Sequence, residues 1–372
     1  MYSIFYTIGM VFLWVINLFN GTGLGVAYQT TERTMLLTVL VAMCCLAYRM
    51  MQDGDILIKP RYFYVLLPMV MIFVGSSLVN GQRLQGLDGF WVYLLVYILS
   101  FTKPDIKALR LTAIAYGVLG LVILYIFAYM DVLDGWNGNS IGMIGLFSFL
   151  VFTIPFYGMR GWRSYVIMPL IGVAYVILIQ PTDSRSCMIV VAITLLFVLR
   201  LIPAKKLLKS SKGLFGILLV PLGIAIFVCL VALFADISGL MEWSQETFHK
   251  ELFSGRDQMW ISAFQGIWKN FWLGTGNINA GSGWHNSAIS CITAFGVLGF
   301  IFWIKLFHEI LKTGIPYTED TSVSGAMVAF LLLYCHQSVE LGIFSTAPSL
   351  LPYVILGILL GRVNYLKRRE LR

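Results

Sequence analysis

Arg185, Arg256, His285 and Glu340 are the residues of this sequence whose types suit chemistry on an anion. A guanidinium is planar, keeps its charge, and donates side by side to two phosphate oxygens. An imidazole takes up a proton near neutral pH, so a histidine suits the removal of a proton from an attacking hydroxyl. Donors aimed at charge developing on a leaving group commonly supply the largest catalytic contribution. Asn286 directly follows His285, and His336 lies one turn from Glu340 in CHQSVELG (335–342); Trp260 and Asn277 come from the segment leading up to His285. Each residue also has a plain structural role open to it. Arg185 can snorkel, Arg256 can be solvated, His285 can cap a helix, Glu340 can bridge to Arg185, and Asn277 can form a turn.

The elements that must hold these residues are set by composition. Hydrophobic residues make up 59% of the chain and charged residues 12%, with a mean hydropathy of +0.83. Soluble domains carry roughly 45–50% and 25%. So little charge cannot cover a soluble surface, and the chain is expected to be solvated by lipid. Apolar runs suited to a hydrocarbon core about 30 Å thick recur throughout. They fall near 2–19, 34–51, 61–79, 88–102, 108–130, 140–158, 163–180, 185–202, 214–235, 285–308, 323–342 and 347–363. In hydrocarbon the backbone must pair within the segment, and the runs lack the period-two alternation of barrel strands, so all are expected to be helices. The first lacks a basic leader and a small-residue cleavage site, and is expected to be a retained helix. The predicted class is an all-α polytopic membrane protein with about twelve transmembrane helices, forming a single membrane domain over 1–372.

Twelve spans place both termini on one side. That side collects twenty of the 26 lysines and arginines, leaving Arg33, Arg83, Arg185, Lys250, Arg256 and Lys269 opposite. Positive charge favours the cytoplasmic side, so both termini are expected there and the four site residues at the outer face. The net charge of +8 is mostly this orientation signal, and no nucleic-acid partner is needed to explain it. All six cysteines lie in expected spans, without metal-ligand spacing. No carboxylate cluster on the outer face resembles a divalent-metal site, so neither metal nor cofactor is expected.

Segment 236–284 is the one long outer connection. In it Met259, Trp260, Ala263, Phe264, Ile267, Trp268 and Phe271 recur at helical steps. Ser254 is placed to N-cap this helix and Gly274 to end it. Trp260, Trp268 and Trp272 suit the headgroup boundary, and SGLMEWSQETFHKELF (238–253) reads as a second short helix. The segment is expected to be an amphipathic extracytoplasmic loop capping the bundle. Two arginines, a histidine and a carboxylate on one membrane face are what handling a lipid pyrophosphate would require, with the arginines replacing a metal in neutralising it.

SGR-x-x-x-W (254–260), G-x-G (274–276) and HN heading a span with G-x-x-G (296–299) resemble the O-antigen ligase and polymerase family. The resemblance is strongest over about 180–300 and extends weakly to TDSRS (182–186) and H-x-x-x-E (336–340); the first 170 residues match only in hydropathy. It implies a GT-C-like, metal-independent, inverting glycosyltransferase of the bacterial inner membrane. The implied donor is an undecaprenyl-pyrophosphate-linked glycan and the acceptor a lipid-linked glycan, with membrane lipids, a chain-length regulator and a flippase as further partners. His285 would be the base, Arg256 and Arg185 would bind the pyrophosphate, and Glu340 would orient His285 or the acceptor; Asn286, Trp260, Asn277 and His336 would contact substrate. The short tract 277–284 leaves fewer acceptor contacts than longer relatives have. The expected function is a polysaccharide polymerase. A ligase transferring the chain to lipid A core shares the donor chemistry, and a lipid-glycan flippase shares the span count but would show paired halves with broken helices.

Overall fold

In the computed structural model of the protein, apolar runs form helices, some with a face left for lipid and others buried almost all round. The structure describes residues 1–21, 37–38, 40–41, 43–44, 48, 62–82, 84, 91–130, 137–158, 161–248, 251–281, 283–340, 342–344 and 349–370. The expected span 34–51 lies largely outside the described residues, as do Arg33, Arg83, Lys250 and Cys45. Among the described residues the helices are α1 (Tyr2–Gly21), α2 (Phe63–Val79), α3 (Trp91–Ser100), α4 (Ile106–Tyr129), α5 (Gly138–Thr153), α6 (Trp162–Ile179), α7 (Arg185–Val198) and the single turn α8 (Lys205–Leu208). They continue as α9 (Ser211–Leu218), α10 (Val220–Phe234), α11 (Ser238–Phe248), α12 (Arg256–Lys269), α13 (Ser287–Lys312), α14 (Thr321–His336) and α15 (Leu350–Glu370). No strand occurs among the described residues.

Among the described residues, six helices are long and apolar enough to cross a membrane, and the pair α9–α10, bent by 47°, would make a seventh. Other apolar runs give shorter helices: α2, α7 and α14 have apolar stretches of 10–17 residues, and α3 has 10 residues. The exposed side chains of α6, Val166, Leu170, Val173 and Ile177, recur at steps of three and four. Ile114, Val118, Val122 and Tyr125 do the same on α4. Continuous apolar stripes of this kind have no place in water and define faces turned to lipid. Inside, α4 packs on α1 and α5, α3 and α14 pack on α15, and α13 packs on α2 and α9.

One end of the bundle is tied by charge. Asp320 caps α14 by accepting from the Ser322 and Val323 amides, and pairs with Arg362 of α15 at 2.7 Å. Glu319 accepts from Lys205 (2.8 Å) and Lys209 (2.9 Å), which hold its carboxyl down at about 2.

α13 is broken in mid-course. Gly296 has φ 68° and ψ −177°, which no helix allows, and lies about 13 Å along the axis from Ser287 at 1.5 Å per residue. The break frees the Thr293 and Ala294 carbonyls and the Val297 and Leu298 amides from one another. All four are satisfied by the segment 271–276: Thr275 N donates to Thr293 O (3.0 Å) and Gly276 N to Ala294 O (2.8 Å), while Val297 N donates to Phe271 O (2.9 Å) and Leu298 N to Trp272 O (3.3 Å). From the other side, the end of α2 donates to the same segment, through Ser76 to Leu273 O, Ser77 to Gly276 O (2.8 Å) and Asn80 to Gly274 O (3.2 Å). The G-x-G and G-x-x-G runs are thus two sides of one backbone crossing.

The crossing corrects the expected end of the amphipathic helix. α12 stops at Lys269, with Asn270 as its C-cap, and Gly274 serves the crossing instead. A Cβ on Gly274 would lie 2.5 Å from the Gly296 nitrogen, and one on Gly296 would fall onto the Trp272 carbonyl. Gly274→Ala and Gly296→Ala are each expected to lose at least ~2 kcal/mol through steric overlap and positive φ. Gly239→Ala in α11 meets open space and should change stability by less than ~0.5 kcal/mol. Thermal unfolding of the purified protein in detergent compares the three.

Candidate functional site

Four polar residues converge where α7, α12, α13 and α14 begin or end. Arg185 is the first residue of α7 and Arg256 the first of α12. His285 precedes α13 by two residues, and Glu340 follows α14 by four. A cavity of about 600 Å³ is lined by Arg185, Arg256 and Glu340 together with Asn137, Asn139, Asp183, Ser184, Ser186, Glu251, Ser254 and others. His285 stands on the far side of Glu340.

Glu340 is the hub of the cluster. Its side chain is 9% exposed, with Oε1 3.4 Å from Arg256 Nη2 and Oε2 3.6 Å from His285 Nδ1. Arg256 Nη2 also donates to Val339 O at 3.0 Å, and its Nε is buried with no hydrogen-bond partner among the described residues. Burying a carboxylate costs several kcal/mol unless opposite charge and donors compensate. The guanidinium and the imidazole flank this one on opposite oxygens. Arg256 therefore joins a cavity that holds a second arginine to the imidazole, with Glu340 between. The arrangement suits an anion held at the arginines beside a base whose orientation the carboxylate sets.

Backbone strain marks the same loops. Asp183 (φ 57°), Ser254 (φ 53°) and His285 (φ 46°) are left-handed non-glycine residues, immediately before or at the polar residues in question. Such conformations persist only where surrounding structure holds them, and they concentrate at functional sites. His285 is held on both sides. Trp260 Nε1 donates to Trp284 O at 2.6 Å, and Asn286 is anchored to the bundle. The His285 side chain itself is 46% exposed.

The remaining expected contacts are placed differently. Asn286 is fully buried. Its Oδ1 accepts from the Ala288 and Ile289 amides, capping α13, and its amide donates to Pro221 O and Ser338 O at 2.9 Å each. It has no hydrogen-bonding capacity left for a ligand. Trp260 is 1% exposed, packed inside the bundle rather than at a headgroup boundary, so its ring offers no face to substrate; Trp268 (79%) and Trp272 (62%) are exposed. His336 is buried, 3.0 Å from the Ser186 hydroxyl of α7, behind the helix that carries Arg185. Asn277 accepts from the Asn279 amide at 2.9 Å in a turn. Ser254 makes no cap: Gly255 occupies that position without a side-chain bond, and Ser254 lines the cavity.

The sequence reading missed Asn137, Asn139, Glu251 and Gln337. The first three line the cavity, and the run GWNGNS (135–140), glycine- and asparagine-rich between two spans on the same face, was the available signal. Gln337 is fully buried and accepts from the Ile343 amide at 3.1 Å and from Ser287 Oγ at 3.3 Å. It ties the end of α14 to the start of α13, and a lone glutamine in an apolar run gives no such signal. Among the described residues no group of three histidine, cysteine or acidic side chains could hold a metal ion. The described cysteines are free.

Residues 170–304 match the family model described as O-antigen ligase. This stretch spans α7, α12, the crossing and His285, and the match supports assignment of the chain to the O-antigen ligase and polymerase family. No curated protein matches the chain. The apolar helices and this match together suggest a membrane protein, similar over that stretch to the membrane glycosyltransferase-like enzymes of the family.

Asn286→Ala removes the side-chain acceptor of two helix amides and the donor to the Pro221 and Ser338 carbonyls. It is expected to cost about 2–4 kcal/mol, read as lowered thermal stability in detergent with no substrate present; a residue that only contacts ligand would leave that stability unchanged.

Proposed function

We propose that the protein is a polysaccharide polymerase of the inner membrane, transferring a growing glycan from undecaprenyl pyrophosphate to a hydroxyl of a lipid-linked repeat unit. The observation that carries this reading is the chain Arg256–Glu340–His285 beside a cavity that also holds Arg185, with Arg185, Arg256 and His285 inside the stretch matching the family model and Glu340 beyond it. Twelve spans with cytoplasmic termini, as the lysine and arginine bias favours, put the site at the outer face, where lipid-linked substrates present their phosphates. A GT-C-like arrangement, with the donor lipid alongside the helices and the sugar in the cavity, accommodates such substrates.

In the reaction the acceptor oxygen attacks the anomeric carbon while His285 takes its proton. The bond from that carbon to the pyrophosphate oxygen breaks, and its electron pair leaves with the pyrophosphate. Arg185 and Arg256 hold the departing charge, so no metal is required. Attack opposite the leaving group inverts the anomeric centre. Glu340 fixes the imidazole and balances its charge once it is protonated, a role a carboxylate partner plays for many catalytic histidines. The buried Arg256 Nε, without a hydrogen-bond partner among the described residues, is a donor available to a phosphate oxygen.

The test is an assay of the purified protein in proteoliposomes with lipid-linked repeat units. Glycans of more than one repeat are expected on the lipid. His285→Ala should slow transfer by at least ~10²-fold, the usual share of general base catalysis. Arg256→Lys should also lose activity, because a point charge does not reproduce the fork. Unchanged polymerisation by His285→Ala would remove the base assignment. Transfer only when lipid A core is added would assign the ligase reaction, and movement of intact lipid-linked glycan without transfer would assign a flippase.

A further inference from the structure

A second cavity, of about 830 Å³, opens at the end of the bundle opposite the candidate site. It is bounded by the last turns of α13 and α15, the start of α2 and the end of α3, and Lys312 and Lys367 line it. α13 starts beside His285 and finishes at Lys312, and the two cavities share no lining residue. The two sites are therefore separate.

Its chemistry is that of a receptor for phosphate. Lys312 is 3.8 Å from Glu309, the one carboxylate of the lining, while Lys367 makes no ion pair among the described residues. Two ammoniums against one carboxylate leave net positive charge in a recess walled by Leu360 and Val363. Tyr62, 1% exposed, also lines the cavity, and its hydroxyl has no hydrogen-bond partner among the described residues. A buried hydroxyl without a partner costs about 1–3 kcal/mol, which a ligand oxygen would relieve. At the rim, Tyr64 is 83% exposed, an amphipathic ring at the level where a helix enters the headgroups. Basic recesses between helices at the cytoplasmic face collect anionic headgroups, and each lysine near the surface adds to the attraction.

We propose that this cavity binds a phosphate-bearing anion at the inner membrane face, held by Lys312, Lys367 and the Tyr62 hydroxyl. Two sources share that chemistry, the phosphodiester of an anionic phospholipid and a soluble phosphate compound. The test uses the full-length protein in detergent, with native mass spectrometry to count bound phosphatidylglycerol against phosphatidylcholine. Wild type should retain phosphatidylglycerol preferentially. The double variant Lys312→Met, Lys367→Met should weaken that binding by about thirtyfold without changing phosphatidylcholine binding. Tyr62→Phe, which removes only the hydroxyl, should weaken it by about three- to tenfold. Replacing both lysines by arginine should keep the preference, separating loss of charge from loss of fold. Displacement of the lipid by millimolar inorganic phosphate would identify a soluble phosphate as the ligand, and persistence of the lipid would identify the headgroup. Equal retention of the two lipids, or phosphatidylglycerol binding unaffected by the double methionine variant, would overturn the proposal.

Discussion

A peptide group inside a membrane has no water to bond with, and at the broken α13 four such groups are set free at once. Their partners come from one short segment, 271–276, which returns the chain from α12 into the bundle. Because the four bonds are backbone to backbone, the two chains must approach closer than any Cβ permits, and both Gly274 and Gly296 are at the contact. This exchange anchors the loop. α12 lies before the crossing and His285 after it, so the crossing sets where both meet the rest of the bundle. The polar side chains at the mouth of the bundle can be held at fixed separations only because the loop that carries them is fastened at depth.

Glu340 plays the corresponding part among the side chains. A carboxylate only 9% exposed is costly unless its charge is met on more than one side. Here a guanidinium faces one oxygen and an imidazole the other. A bound anion would compete with the carboxylate for Arg256, while protonation of His285 would strengthen its pull on Glu340. In the proposed reaction, binding at the arginines and proton transfer at the imidazole would be linked through this one residue. The left-handed conformations of Asp183, Ser254 and His285 show that the three loops around it are held against local preference. At His285, Trp260 and Asn286 supply that restraint from inside the bundle.

The helices were legible because lipid imposes a simple rule: an apolar run must satisfy its own backbone, and most expected spans fall on observed helices. The candidate site was legible for a related reason. Arg185, Arg256, His285 and Glu340 stand at the ends of apolar runs, where a charge has to be explained, and the structure brings Arg185, Arg256 and Glu340 to one cavity and His285 to Glu340. Residue type misled where one chemical group can serve either ligand or fold. Asn286 and Trp260 have donors suited to sugars, yet both spend them on backbone carbonyls, and Ser254, suited to capping, lines the cavity.

The sequence by itself determined that the protein is helical and embedded in lipid, and which residues carry charge near a membrane face. These follow from composition and from periodicity along one segment, and local physics decides them. Only the tertiary structure decided that the two glycine runs meet, that α12 ends five residues before Gly274, and that Glu340 joins Arg256 to His285. It alone also gathered Lys312, Lys367 and Tyr62 at the opposite end. Each of these is a pairing between segments distant in the chain. Such pairings depend on how helices pack against one another, and hydropathy carries no record of which faces will touch.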